Sequence, residues 1–149
     1  MNDIRTVLLT TDFSDTSRKA FPYAREIARR FGAKVILAHV EEGYLPPPII
    51  EYANVGIEEI ERRQQECAEE RLEVLRDEFD SEIPVEIEVA SGTPHLRIVE
   101  MAKRHGADLI VMAGHGRNFI SHAILGSTTE RVLRRAPCPV FAVRDRAEE

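Results

Sequence analysis

The stretch LIVMAGHGRNFISHAILGSTTERVLRR, residues 109–135, decides the fold. It opens with five apolar residues, Leu109 to Ala113, and a strand that is apolar on both faces is typical of the centre of a parallel sheet. A glycine-bearing loop follows. Ser127 and Glu130 then match a capping box, which predicts that Ser127 caps a helix reaching about Arg135. Strand, loop and helix in this order are typical of an α/β fold.

The same alternation of strand and helix extends outward to both ends of the chain. Short apolar runs predict strands, and between them apolar residues recur at helical spacing, with Pro22 predicting a kink in the first long helix. Apolar and acidic residues alternate at 85–89, which predicts a strand with one solvent-exposed face at or near a sheet edge. The order predicts one domain, residues 1–149, with a doubly wound parallel sheet and helices on both faces. The predicted strands are 6–10, 34–40, 85–89, 109–113 and 139–143. The first predicted helix follows the cap residues 11–15 and ends at 31, with Pro22 about two turns in, and the other predicted helices are 57–79, 94–105 and 127–135.

Composition limits the possible functions and locations. Of the 149 residues 43% are apolar, as in globular proteins, and the net charge of −6 argues against nucleic acid as a partner. No apolar run approaches the ~18 residues that a membrane span needs, and the polar start, Met1 to Arg5, is unlike a signal peptide. Cys67 and Cys138 form no CxxC pair, which predicts buried thiols in a reducing compartment. Together these features predict a soluble, cytoplasmic protein without membrane contact.

Ligands of open parallel sheets bind beyond the carboxyl ends of the strands. Among the loops at these strand ends, the one between Ala113 and Ser127 has the most features suited to anion binding. Its residues Gly114 and Gly116 allow a backbone to approach an anion closely. Gly126 and Ser127 open a helix whose free amides attract anions. Two better-known phosphate motifs are excluded, since no lysine completes a Walker A loop and Phe119 replaces the third glycine of GxGxxG.

At this loop the chain resembles the universal stress protein family, whose nucleotide loop reads G-x2-G-x9-G-[ST]. Gly116, nine intervening residues, Gly126 and Ser127 match the later elements, while Ala113 stands at the first glycine. The likeness covers nearly the whole chain, and further matches lie at 11–14, 39–40, 92–94 and 136–140. If the first glycine must have a positive φ, Ala113 is strained. If it only allows close approach, a methyl group is tolerated.

The resemblance implies a sheet order of 3-2-1-4-5 and an adenine nucleotide, ATP or alternatively ADP or AMP, accompanied by Mg²⁺ or Mn²⁺. Asp12 would lie beside adenine and ribose, and the backbone of Val40 would recognise adenine. No protein-only metal site is expected, since His115 and His122 lack a third ligand. The implied nucleotide-binding residues are Thr11, Asp12, Val40, Ala113, Gly114, His115, Gly116, Arg117, Asn118, Gly126, Ser127 and Thr128.

Several alternatives stay open. His115 has no serine or cysteine nucleophile beside it, which favours a binding module over an enzyme, and Arg117 is either a solvated surface residue or a phosphate contact. The main interpretation is a regulatory module of the stress response. The alternatives are a nucleotide-free interaction scaffold and a slow ATPase or autophosphorylating protein. The last strand is expected at a sheet edge, which predicts a homodimer with Val140, Phe141 and Val143 near the contact.

Overall fold

The computed structural model describes residues 3–43, 56–115 and 125–144. All neighbouring strands pair in parallel in one five-stranded sheet of order β3-β2-β1-β4-β5. This confirms the doubly wound sheet and places the half-polar strand β3 at one edge, as its alternation predicted. The strands are β1 (Thr6–Thr10), β2 (Lys34–Glu41), β3 (Val85–Ser91), β4 (Leu109–Ala113) and β5 (Val140–Val143).

Helices cover both faces of the sheet and create two cores, because alternate residues of a strand point to opposite faces. Val7 and Leu9 pack with the helices of one face, and Leu8 packs with those of the other. The first core uses α2 and α3, and the second uses α4 and α5. The helices are α1 (Asp15–Arg18), α2 (Phe21–Phe31), α3 (Ile57–Arg76), α4 (Pro94–His105) and α5 (Ser127–Arg135).

The prediction of one kinked helix near Pro22 is wrong, since the chain forms two helices there. The short α1 ends before α2 begins, and Pro22 lies in the first turn of α2. A proline costs nothing at that position because the amide it lacks would have no partner within the helix. Ser14 caps α1 by accepting a hydrogen bond from the Ser17 amide at 3.1 Å. Gly32, with φ of 65°, ends α2.

The reversal of strand order between β1 and β4 decides where a ligand fits. Chain connections leave β1 toward β2 on one side, whereas β4 and β5 lie on the other side of β1. The loops at the carboxyl ends of β1 and β4 therefore diverge and leave a crevice between them.

Two further expectations concern burial and membrane contact. Cys67 is exposed and Cys138 is half-buried, so the prediction of a buried thiol is wrong for Cys67. Of the helices in the described residues, none combines the length and the apolar character that crossing a membrane requires.

Candidate functional site

A cleft of about 940 Å³ opens at the carboxyl ends of β1, β2 and β4. Gly114 does not line it, and Gly116, Arg117 and Asn118 lie outside the described residues. The cleft thus joins residues from distant parts of the sequence at the predicted switch point. The predicted site residues that line it are Thr11, Asp12, Val40, Ala113, His115, Gly126, Ser127 and Thr128.

The turn after β1 is held by its own side chains. The hydroxyl of Thr11 lies 2.8 Å from that of Ser17 and accepts from the Phe13 amide at 3.0 Å. Asp12 accepts from the Ser14 amide at 2.9 Å and also from the Ser14 hydroxyl. Phe13 takes the positive φ of 67° that this tight turn requires. Thr11 is therefore a residue that shapes the site, and the Asp12 carboxylate is oriented at the rim of the cleft.

His39 lies near the end of β2, and its side chain is buried, with 5% of the residue exposed. Its Nδ1 lies 2.7 Å from the Thr11 carbonyl, and because a carbonyl only accepts, Nδ1 carries hydrogen in this arrangement. Its Nε2 lies 3.1 Å from Glu41 Oε1. The ring packs on Phe13, with centroids 4.3 Å apart. His39 thereby ties β1 to β2 next to Val40. A polar residue inside an apolar run was the sequence signal for this role.

The end of β4 is joined to α5 and β5 by short backbone hydrogen bonds. The Gly114 amide donates to the Val143 carbonyl at 2.7 Å, and the Gly114 carbonyl accepts from the Gly126 amide at 2.7 Å. A Cβ at Gly114 would lie 3.3 Å from that Val143 oxygen, so this glycine serves close backbone packing. The Ala113 carbonyl accepts from the Thr129 hydroxyl at 2.9 Å. The Gly126 amide is therefore engaged within the protein.

The capping box at the start of α5 is not formed, so that prediction is wrong. Gly126 occupies the cap position with no side-chain cap, and the Glu130 carboxylate pairs with Arg134 at 2.8 Å. Within the described residues, nothing accepts a hydrogen bond from the amides of Ser127, Thr128 or Thr129. All three residues line the cleft, and open amides at a helix start attract anions.

Two basic residues of the cleft were missed by the sequence reasoning. His95 lies in the first turn of α4 and Arg131 in the second turn of α5, and both line the cleft. Desolvation, and then the charges of Arg131 and Arg135, hold the pKa of the His95 imidazole below its ordinary value. Among the residues that the structure describes, Arg131 forms no ion pair. The four-residue spacing from Ser127 to Arg131 was the available signal.

No cluster of three or more histidine, cysteine or acidic side chains suited to a metal ion occurs in the described parts of the chain. Of the two histidines considered for such a site, His115 lines the cleft and His122 lies outside the described residues.

Comparison with known proteins decides the family. The sequence profile of the universal stress protein family matches residues 3–144. The chain belongs to the universal stress protein family. A universal stress protein of Methanocaldococcus jannaschii, MJ0531, is 30% identical and aligns with 99% of this chain and 86% of its own length.

Solved structures agree with this family and with the fold. The M. jannaschii universal stress protein MJ0577 superimposes with a TM-score of 0.84 at 27% identity, covering 99% of this chain and 100% of its own. A universal stress protein in complex with cAMP superimposes with a TM-score of 0.63 at 29% identity, covering 96% of this chain and 98% of its own. This universal stress protein therefore has at least one structural relative that holds a cyclic nucleotide.

Proposed function

We propose that this universal stress protein binds an adenine nucleotide, ATP, in the cleft and acts as a regulatory module of the stress response. The observation that carries the proposal is the arrangement at the switch point. The strand ends that carry Asp12 and Val40 face the same cleft as the open amides of Ser127 and Thr128. The relative solved with cAMP supports a nucleotide as the ligand class.

The proposed ligand lies across the sheet. Adenine and ribose occupy the side of Asp12 and the Val40 backbone, and the phosphates reach the start of α5. There no described residue accepts a hydrogen bond from the amides of Ser127 and Thr128, whereas the Gly126 amide donates to the Gly114 carbonyl. In the proposal, Gly116, Arg117 and Asn118 complete the phosphate loop, with Mg²⁺ or Mn²⁺ held largely by the phosphates.

Ala113 is compatible with this proposal. It is the last residue of β4, pairs with Val143 in parallel register, and has no positive φ. Since any residue adopts the extended backbone of a strand, the methyl group causes no conformational strain. Of the two alternatives for the first glycine of the family motif, tolerance of a methyl group is the one that suits this chain.

The test is calorimetric titration of ligand-stripped protein with ATP, ADP, AMP and cAMP, with and without Mg²⁺ or Mn²⁺. A micromolar dissociation constant is expected for ATP, and a dissociation constant of about 1 μM corresponds to a binding free energy of about −8 kcal/mol. Gly126→Val should abolish binding because the side chain would cover the open amides of α5. Gly56→Val is the matched control. Gly56 caps α3 with φ of −66° and ψ of 152°, close to the −68° and 159° of Gly126, and does not line the cleft.

Wild-type protein that binds none of the four nucleotides at millimolar concentration would refute the proposal and favour the alternative of a nucleotide-free interaction scaffold. Release of phosphate or self-phosphorylation in the same samples would instead favour the slow enzyme. We further propose that the protein works in the cytoplasm as a homodimer through β5.

A further inference from the structure

The walls of the cleft carry opposite charges. Acidic side chains lie at the ends of β1 and β2, and basic side chains lie between α4 and α5 on the second face of the sheet. A molecule that lies along the cleft therefore meets hydrogen-bond acceptors at one end and cations at the other. The acidic residues are Asp12, Glu41 and Glu42, and the basic ones are His95 and Arg131.

Arg131 lies one helical turn after the open amides at the start of α5 and lines the same cleft. Residues three and four apart share one face of a helix, so Arg131 lies on the face of Ser127 and Thr128. Side chains of a helix lean toward its N-terminus, which directs a long arginine side chain toward those amides. Its neighbour Arg134 is held by Glu130 at 2.8 Å, whereas within the described residues Arg131 has no acidic partner.

His95 faces the same space from the other helix. It follows Pro94 at the start of α4 and is half-buried. Desolvation together with the charges of Arg131 and Arg135 keeps the pKa of His95 below its ordinary value. The free cleft therefore favours neutral His95. The other titratable groups that line the cleft are Asp12, His39, Glu41, Glu42 and His115.

We propose that His95 and Arg131 form a cationic wall that selects nucleotides with a polyphosphate tail over monophosphates and couples their binding to uptake of a proton by His95. This inference rests on the proposed function and adds to it the class of ligand and a dependence on pH. A single phosphate on the amides of α5 places at most two negative charges beside Arg131, whereas a tail of two or three phosphates brings further charged oxygens to both Arg131 and His95.

The sign of the pH dependence follows from the charges. A bound polyphosphate favours protonated His95 and therefore raises its pKa above that of the free protein. Between the free and bound pKa values, binding takes up a proton. The affinity for ATP consequently rises as the pH falls through the bound-state pKa, and it levels off below the free-state pKa.

The experiment is calorimetry with ATP and AMP from about pH 5.5 to about pH 8, the range in which imidazole titrates. Each titration is run in two buffers of different ionisation enthalpy, which counts the protons taken up. Arg131→Gln is expected to weaken ATP about tenfold or more and AMP by much less. Arg131→Lys should restore part of the preference for ATP. His95→Gln should remove the proton uptake that is due to His95, although His39 and His115 remain. The pH dependence that is left should be that of the terminal phosphate of the nucleotide, which itself titrates at about pH 6.

Matched controls come from the same two helices. Arg134→Gln removes an arginine that is paired with Glu130, and His105→Gln removes a histidine that lies 3.2 Å from Glu88, outside the cleft. Neither control should change the ratio of ATP to AMP affinity. Proton uptake on binding ATP that is equal in wild type and His95→Gln, or an Arg131→Gln variant that keeps the wild-type ratio of ATP to AMP affinity, would overturn this inference alone. Wild type that binds no nucleotide would overturn the proposed function and this inference with it.

Discussion

The close backbone approach expected at the first motif glycine is made by Gly114, and Ala113, which stands at the motif position, is an ordinary strand residue. The motif has its first glycine at position 113, yet Ala113 is an extended strand residue and Gly114 makes the close backbone approach. The Val143 carbonyl accepts a hydrogen bond from the Gly114 amide at 2.7 Å and therefore leaves little space for a side chain at Gly114. The tight position in this chain is therefore one residue later than the spacing indicates.

Ala113→Gly should leave nucleotide affinity within about twofold, because no steric or conformational strain is relieved. It should lower the free energy of unfolding by about 0.5–1 kcal/mol, the usual cost of glycine within a strand. Calorimetry and urea unfolding measure the two effects. A tenfold gain in affinity would contradict the prediction and show that the methyl group crowds the ligand.

Gly114→Ala should cost more stability than Ala113→Gly. The new methyl group would lie 3.3 Å from the Val143 carbonyl and 3.4 Å from Leu125 Cδ2. The carbonyl cannot retreat without breaking its hydrogen bond to residue 114, so a loss of about 1–3 kcal/mol is expected in the free energy of unfolding. Urea unfolding measures this loss. An unfolding curve equal to that of wild type would show that β5 shifts freely.

The two cysteines should differ in reactivity. Cys67 is exposed on α3, whereas burial, and then the charge of Asp108, raise the pKa of the half-buried Cys138 thiol against the opposing effect of the Ile110 amide. Since the thiolate is the reactive form, a maleimide should label Cys67 at least about tenfold faster. Mass spectrometry of the labelled peptides gives both rates. Equal rates, or faster labelling of Cys138, would contradict the burial described.

Among the secondary-structure elements, β3 and α4 are joined by one carboxylate. Glu88 Oε2 accepts from Arg104 at 2.6 Å, and Oε1 lies 3.2 Å from His105 Nε2. Burial raises the pKa of Glu88, but the hydrogen bonds from Arg104 and His105 outweigh it and the net shift is downward. This contact attaches an edge strand to the C-terminal turn of the helix above it.

The contribution of Glu88 to stability should depend on pH. A carboxylate whose folded-state pKa is lowered stabilises above its unfolded-state pKa, and that stabilisation is lost as the pH falls through the folded-state pKa. Glu88→Gln should therefore cost about 0.5–1 kcal/mol near pH 7 and much less near pH 3. Urea unfolding at both pH values measures this. The control is Glu86→Gln on the same strand. Within the described residues, the Glu86 carboxylate forms one ion pair, with Lys34 at 3.7 Å. A loss at Glu88 that is equal at both pH values would contradict the ionic origin.

Local sequence patterns predicted the elements better than their ends and contacts. Apolar runs identified the strands, and the polar alternation around Glu88 placed β3 at an edge. The capping box failed because a bond between Gly114 and Gly126, twelve residues apart, makes Gly126 the cap. His95 and Arg131 were missed for a related reason. They meet only because α4 and α5 pack side by side, and helical periodicity does not reveal which helices are neighbours.

For the whole molecule, the open edge of the sheet at β5 is the feature with the largest consequence. β5 ends the strand order and pairs with β4 alone within the described residues. Phe141 is 39% exposed and packs against Tyr23 of α2, itself 49% exposed, with ring centroids 5.4 Å apart. Val143 is buried, and Val140 packs partly against the second core. An aromatic pair beside an unpaired strand edge favours association with a second copy.

We predict a homodimer in which two β5 edges pair antiparallel about a two-fold axis, with Phe141 and Tyr23 covering the junction. Phe141→Lys with Tyr23→Lys should give a folded monomer because two charges would be buried at the contact. These sites are better than Val143, since a lysine there would disrupt the core of the protein itself. Val74→Lys is the control, because Val74 is 66% exposed on α3. Sedimentation at micromolar concentration separates the species, and thermal unfolding confirms that each variant is folded. A monomeric wild type would refute the dimer, whereas a folded double variant that stays dimeric would place the interface away from β5.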